Sequence, residues 1–192
     1  MNPAFYLVES RVRPTSSEGF KTGLGDNETF ETDFIGASEE DCQQWVQENA
    51  PQVNFIVPDL IAIADARSAK DGTILIQVYQ NVLPMDKEEF EGDVPPCAKL
   101  PPRDKYNTWW SYRVDFKDAP DAVLDLGEFG IIEATVPYYG YKDRLADERG
   151  VFNVAKAIRI TLGEDLEAVL GEDSDQPDLM FREVSACCRA RL

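Results

Sequence analysis

Histidine is absent from this 192-residue sequence. Its absence excludes nucleophile activation by a Ser-His-Asp or Cys-His arrangement, zinc or iron sites ligated by imidazole, and a histidine pH switch near neutrality. Any catalysis would have to use carboxylate, tyrosine, lysine, cysteine or arginine side chains. We therefore expect no metal site and no cofactor.

Cysteine is scarce, and its spacing excludes two further classes of site. None of the four cysteines forms a C-x-x-C pair, so neither a zinc ribbon nor a thioredoxin motif is present. The adjacent Cys187 and Cys188 precede Arg189, which could lower a thiol pKa. We favour the plainer interpretation, in which the pair belongs to a short C-terminal element.

Long apolar runs are also missing, since none approaches the roughly 20 residues that span a bilayer. The first residues carry no charged, cleavable apolar segment, so we expect a cytoplasmic protein that does not enter membranes. Basic residues are few: 19 Lys and Arg stand against 36 Asp and Glu, which gives a net charge of −17. This charge repels nucleic acid and anionic lipid and attracts basic proteins, although solubility alone also explains it.

The composition, 43% hydrophobic and 10% aromatic, is that of a globular protein. Interleaved strand and helix patterns predict an α/β or α+β fold, a single-domain mixed β-sheet with covering helices on both faces. We expect one domain over residues 1–192, with a core at about 30–162. A proline-rich connector at 94–102 crosses its surface, and an acidic C-terminal extension covers 163–192.

The centre of the predicted sheet is a pair of apolar runs, Leu60–Ala66 and Thr73–Gln80. They flank a polar turn that ends in Asp71-Gly72, a strong signal for paired strands. Apolar residues at consecutive positions predict that the pair is buried on both faces of the sheet.

Three further segments complete the predicted architecture. Ser38–Asn49 has a good N-cap, acids in its first turn and an apolar stripe, which predicts an amphipathic helix. Thr108–Phe116 alternates between two faces and predicts a strand. Ala157–Leu162 also alternates and is predicted as a strand.

The segments IAIAD, TILIQVY, SYRVDF and YKDRLADERGVFN together resemble a family of small uncharacterised α/β domains. The resemblance covers roughly residues 30–154. It implies a compact α/β fold, and it transfers no catalytic residue because the family has no assigned activity. The proline-rich insert and the C-terminal third depart from the family pattern.

Aromatic and charged residues provide the candidate binding surface. Two segments contribute them, the predicted strand at 108–116 and a Pro-Gly turn near 137–141. Large aromatic side chains beside a few polar groups are typical of ligand pockets, although core packing also explains them. The candidate ligand-binding residues are Trp109, Trp110, Tyr112, Arg113, Asp115, Tyr138 and Tyr141.

Asp65 follows the first apolar run, at a strand end where ligands gather in open α/β sheets. It is a candidate general base, with Tyr79, Glu133 or Tyr139 as its acid partner. The alternative, which we favour, is that Asp65 caps the turn and pairs with Arg67.

Two functions remain open. The first is a binding protein that engages a basic protein partner or a small molecule through the aromatic and charged face. The second is a cofactor-free isomerase, cyclase or lyase that uses carboxylate and tyrosine groups in an aromatic pocket. We favour the first, because no catalytic constellation follows from the residue spacing. A homodimer is compatible with either function.

Overall fold

The computed structural model describes residues 5–18, 20–25, 28–53, 55–80, 108–128 and 136–171. Within these ranges the strands are β1 (Leu60–Ile63), β2 (Thr73–Gln80) and β3 (Thr108–Asp115). The α-helices are α1 (Glu39–Asn49), α2 (Ser68–Asp71), α3 (Ala119–Glu128), α4 (Lys142–Leu145), α5 (Val154–Thr161) and α6 (Leu166–Gly171). Short 3₁₀ turns lie at Ala50–Gln52 and Phe116–Asp118, and a π-helical turn lies at Val136–Gly140.

The strands form a sheet in the order β1-β2-β3. This sheet with its packed helices confirms the α/β or α+β class. A mixed sheet was predicted, whereas the three described strands are all antiparallel. The predicted central pair is formed, with Leu60 opposite Val78. Of this pair, β2 is the central strand, while β1 lies at one edge of the described sheet with every residue half-exposed.

One face of the sheet carries the apolar core. Ile76 on β2 lies opposite Tyr112 on β3, and both side chains are fully buried. Helices α3 and α5 and the π-helical turn pack over them and contribute Ala122, Ala157 and Tyr138 to the same cluster. The alternation predicted for Thr108–Phe116 is confirmed up to Asp115. Phe116 instead begins a 3₁₀ turn and is exposed.

The opposite face of the sheet is much more polar, and helix α1 lies over part of it. Gln77, at the centre of β2, is fully buried on this face. Its Nε2 atom donates hydrogen bonds to the Glu39 carboxylate at 2.6 Å and to Ser111 Oγ at 2.8 Å. The Gln43 side chain donates to Gln77 Oε1 at 2.9 Å. Helix α1 is therefore attached to the sheet partly by hydrogen bonds between side chains.

Helix α1 begins where the sequence predicted. Ser38 is the N-cap, and its hydroxyl accepts from the Asp41 amide at 3.1 Å. The Asp41 carboxylate accepts in turn from the Ser38 amide at 3.0 Å, which completes a capping box. The acids of the first turn also interact favourably with the helix dipole.

Replacing Ser38 with alanine removes half of this capping box. We expect the free energy of unfolding to fall by about 1 kcal/mol. Urea unfolding followed by circular dichroism measures the change. A matched control is Ser17→Ala, an exposed hydroxyl outside α1, which we expect to stay within about 0.5 kcal/mol of the wild type. Equal losses in the two variants would contradict the capping role.

The strand predicted at Ala157–Leu162 is wrong, because these residues belong almost entirely to α5. Asn153 caps this helix by accepting from the Lys156 amide at 3.0 Å. Val154 and Ala157 are buried at helical spacing. The alternating isoleucines satisfied a two-residue period, but the cap and the i, i+3 spacing decided the structure.

The described residues contain no helix both long enough and apolar enough to cross a membrane. The predicted connector at 94–102 lies outside the described residues, and the predicted extension is described only as far as residue 171.

Candidate functional site

Arg113 and Asp65 form an ion pair on the polar face of the sheet. Arg113 extends from β3, and its two terminal nitrogens donate to the two carboxylate oxygens of Asp65, with Nη1 at 3.0 Å from Oδ1. The arginine side chain is 11% exposed and the aspartate 35%. This bidentate geometry is the strongest form of Arg–carboxylate contact.

Asp65 also holds together the turn that follows β1. Its Oδ1 atom accepts from the amides of Arg67 at 3.0 Å and Ser68 at 2.9 Å, and from the Ser68 hydroxyl at 3.0 Å. The hydrogen bonds from Arg113, followed by those from Ser68, hold the pKa of Asp65 far below its ordinary value. Asp65 therefore caps the turn, as the favoured alternative predicted. Its ion-pair partner is Arg113, whereas Arg67 pairs with Asp71 at 2.7 Å.

A cleft of about 460 Å³ opens between the N-terminus of α1 and the β1–β2 strands. Ile63 and Leu75 provide its apolar surface. Three carboxylates line it, those of Glu39, Glu40 and Asp65, and no basic side chain of the described residues does. Since Arg113 neutralises Asp65, the uncompensated negative charge comes from the two glutamates. The remaining lining residues are Ala37 and Ser38.

Glu39 and Glu40 differ in their surroundings. The Glu39 carboxylate accepts from the buried amide of Gln77, a neutral donor that leaves its charge in place. Glu40 is exposed and makes no hydrogen bond or ion pair with a described residue. Both lie in the first turn of α1. The cleft thus joins an apolar surface to a negatively charged rim.

The structure divides the predicted ligand-binding residues between the two faces of the sheet. Trp109, Arg113 and Asp115 lie on the polar face, where the Trp109 ring packs against Tyr79 with centroids 5.3 Å apart. Trp109 and Asp115 are six residues apart on one strand, about 20 Å, so they do not form one pocket. The other four are buried in the apolar core, at 7% exposure or less: Trp110, Tyr112, Tyr138 and Tyr141.

The proposed catalytic residues are not brought together where the structure describes them. Tyr139 packs on Trp110 at the core face, with ring centroids 4.7 Å apart, whereas Tyr79 lies on the polar face. Arg113, which binds Asp65, is opposite Leu75, four residues or about 13 Å along β2 from Tyr79. Glu133 lies outside the described residues.

Several residues of the site were not singled out from the sequence. Glu39 and Glu40 were interpreted only as acids favouring the helix start, and Leu75 only as a core residue. Gln77 was the signal that could have located this face, because it is the one polar residue inside the apolar run TILIQVY. A long polar side chain in the central strand needs hydrogen-bond partners, and those partners mark the covering element.

Among the described residues, no group of three or more Cys, Asp and Glu side chains has the arrangement of a metal site. Comparison of the chain with protein-family models, curated proteins and solved structures gives no significant match.

Proposed function

We propose that this chain is a non-catalytic binding protein for a basic protein partner, and that the cleft beside the N-terminus of α1 receives a lysine or arginine side chain. The observation that carries the proposal is the combination of Ile63 and Leu75 with the carboxylates of Glu39 and Glu40 in one opening. Lys and Arg have an apolar stem and a cationic head. The stem matches the apolar surface of Ile63 and Leu75, and the head matches the carboxylates of Glu39 and Glu40.

Long-range electrostatics supports a basic protein as the partner. The net charge of −17 creates an attractive field for a positively charged surface and raises the rate of encounter. A cleft of about 460 Å³ is large enough for one long side chain and its neighbours. The same charge opposes the association of two copies of this chain. A cytoplasmic location remains a prediction from the sequence.

Neutralising the two glutamates tests the role of the cleft. The probe is a fluorescent synthetic peptide with four lysines separated by valine or threonine. We expect Glu39→Gln/Glu40→Gln to weaken its binding about five- to thirtyfold at about 50 mM salt, since each charge contributes about 0.5–1 kcal/mol. Fluorescence anisotropy measures the affinity. In the wild type, affinity should fall as salt rises.

A matched control removes the same charge elsewhere. Glu18 and Glu148 are exposed and do not line the cleft, so Glu18→Gln/Glu148→Gln keeps the net charge of the first variant. We expect a change of less than about twofold, because exposed charges at a distance are screened. Equal weakening in both variants would show a general charge effect and overturn the cleft as the binding site.

A further inference from the structure

The hydrogen-bond pattern of the sheet shows which backbone groups of β1 point away from it. The Tyr79 amide donates to the Asp59 carbonyl at 2.7 Å. In an antiparallel pair, hydrogen-bonded and non-hydrogen-bonded residue pairs alternate. Ile61 and Ile63 therefore bond to β2, and Leu60 and Ala62 direct their amides and carbonyls outward.

The two edges of the described sheet differ. At the outer edge of β3, the Arg113 carbonyl accepts from the Phe152 amide at 2.7 Å, and the Ser111 carbonyl accepts from Lys142 Nζ at 2.6 Å. At the outer edge of β1, the backbone groups of Leu60 and Ala62 make no hydrogen bond with any residue in the described ranges. Each β1 residue is only half-buried.

We infer that the β1 edge binds an extended segment of the basic partner as an added strand, with lysine or arginine at alternate positions. This inference rests on the proposed function and gives its mode of recognition. An added strand would bond to the outward groups of Leu60 and Ala62, as in β-augmentation. Its side chains would point alternately to the two faces of the sheet.

The side-chain alternation places the basic residues beside the cleft. Ile63 belongs to β1 and also lines the cleft, so the α1 side of an added strand would lie on the same face of the sheet as Glu39 and Glu40. On the opposite side, the added strand continues the face of Leu60 and Ala62, which pack against the apolar core. A partner segment that fits the β1 edge therefore alternates basic and apolar residues.

Charge selects a basic segment over a second copy of this chain. Asp59 is exposed immediately before β1, and by alternation it shares the face of Ile63 and the two cleft glutamates. Two β1 edges paired across a two-fold axis would bring these acids of both copies to one face of the joined sheet. Such like charges protect natural edge strands from self-association. A lysine-bearing strand meets opposite charges on the same face.

Amide hydrogen exchange by NMR tests the added strand directly in the full chain. The probe is the synthetic peptide described above, in which lysines alternate with valine or threonine. At saturation we expect exchange at the Leu60 and Ala62 amides to slow at least about tenfold. The Ile61 and Ile63 amides already bond to β2 and provide the internal control, with little change. Unchanged exchange at Leu60 and Ala62 despite peptide binding would overturn the inference.

A backbone variant provides the second test. Ala62→Pro removes an outward amide without removing a bond to β2, and proline is tolerated in edge strands. We expect it to weaken peptide binding about tenfold, whereas the control Ala62→Val, which keeps the amide, should change it less than about threefold. Methylation of alternate backbone nitrogens of the peptide removes its own donors to the β1 edge. This second measurement keeps the test valid if Ala62→Pro does not fold.

The outcomes separate this inference from the proposed function. Binding that requires Glu39 and Glu40 but is indifferent to Ala62→Pro and to peptide methylation retains the proposed function and overturns strand addition. Absence of peptide binding to the wild type at low salt overturns both. Concentration-dependent dimers in which the Leu60 and Ala62 amides become protected without peptide would instead identify a second copy as the occupant and overturn the inference.

Discussion

Replacing Arg113 with alanine is expected to lower the free energy of unfolding by about 2–3 kcal/mol at pH 7. The variant removes the bidentate partner of Asp65 and leaves its carboxylate next to a cavity in the sheet surface. Loss of one partner of a fully buried pair costs about 3–5 kcal/mol, and the partial exposure of Asp65 reduces this. Urea unfolding measures the change.

The effect of Arg113→Ala should depend on pH in a defined direction. In the folded protein the pKa of Asp65 is lowered, so its contribution to stability is fully present above its unfolded pKa of about 3.9 and is lost as the pH falls toward the folded value. The difference in the free energy of unfolding between wild type and variant should therefore be largest above about pH 5 and smaller at about pH 3. A difference that is constant over this range would contradict the pairing as its cause.

Arg144→Ala is the matched control for this prediction. Arg144 pairs with Glu167 at 3.2 Å, and both side chains are exposed, at 46% and 73%. Exposed ion pairs contribute little because water and salt screen them. We expect a change within about 0.5 kcal/mol. Equal losses in the two arginine variants would indicate that burial of the Arg113 pair is unimportant.

Replacement of Asp125 is expected to give the second large effect. It should raise the free energy of unfolding, whereas replacement of Arg113 should lower it. This residue of α3 is 3% exposed, and neither of its carboxylate oxygens has a hydrogen-bond partner of normal geometry among the described residues. The nearby Tyr138 hydroxyl likewise has no hydrogen-bond partner of normal geometry in the described part of the chain. Burial raises the pKa of Asp125 to about 6, because the ionised form loses its hydration, and Tyr138 offsets this only in part.

Asp125→Asn is expected to raise the free energy of unfolding by about 2 kcal/mol at pH 7.5, since it removes the buried charge while keeping the shape. The folded pKa lies above the unfolded one, so the destabilisation by Asp125 is complete above about pH 6 and vanishes below about pH 4. The increase in the free energy of unfolding of Asp125→Asn should therefore disappear at about pH 4. Thermal or urea unfolding at both pH values measures it.

Asp143→Asn is the control for the Asp125 prediction. Asp143 is exposed on α4, so the same chemical change should alter stability by less than about 0.5 kcal/mol at either pH. A stability loss in Asp125→Asn at pH 7.5 would contradict the prediction. It would show that the ionised carboxylate is stabilised in the folded protein.

The sequence was sufficient for the elements whose signals are local. The capping box fixed the start of α1 because Ser38 and Asp41 bond each other's amides. The paired apolar runs predicted β1 and β2, and the alternation of 108–115 predicted which side chains of β3 share a face. Local signals failed at α5, where alternating isoleucines satisfied the strand period as well as the helical one.

The tertiary structure decided which residues form the site. Pairing of β2 with β3 put Arg113 beside Leu75, within reach of Asp65, 48 residues earlier in the chain. Packing of the core against one face buried Trp110, Tyr112, Tyr138 and Tyr141, which composition alone could not distinguish from a ligand pocket. Packing of α1 on the polar face of the sheet formed the acidic cleft. These contacts join residues distant in sequence, so periodicity and propensity, which act over a few residues, did not determine them.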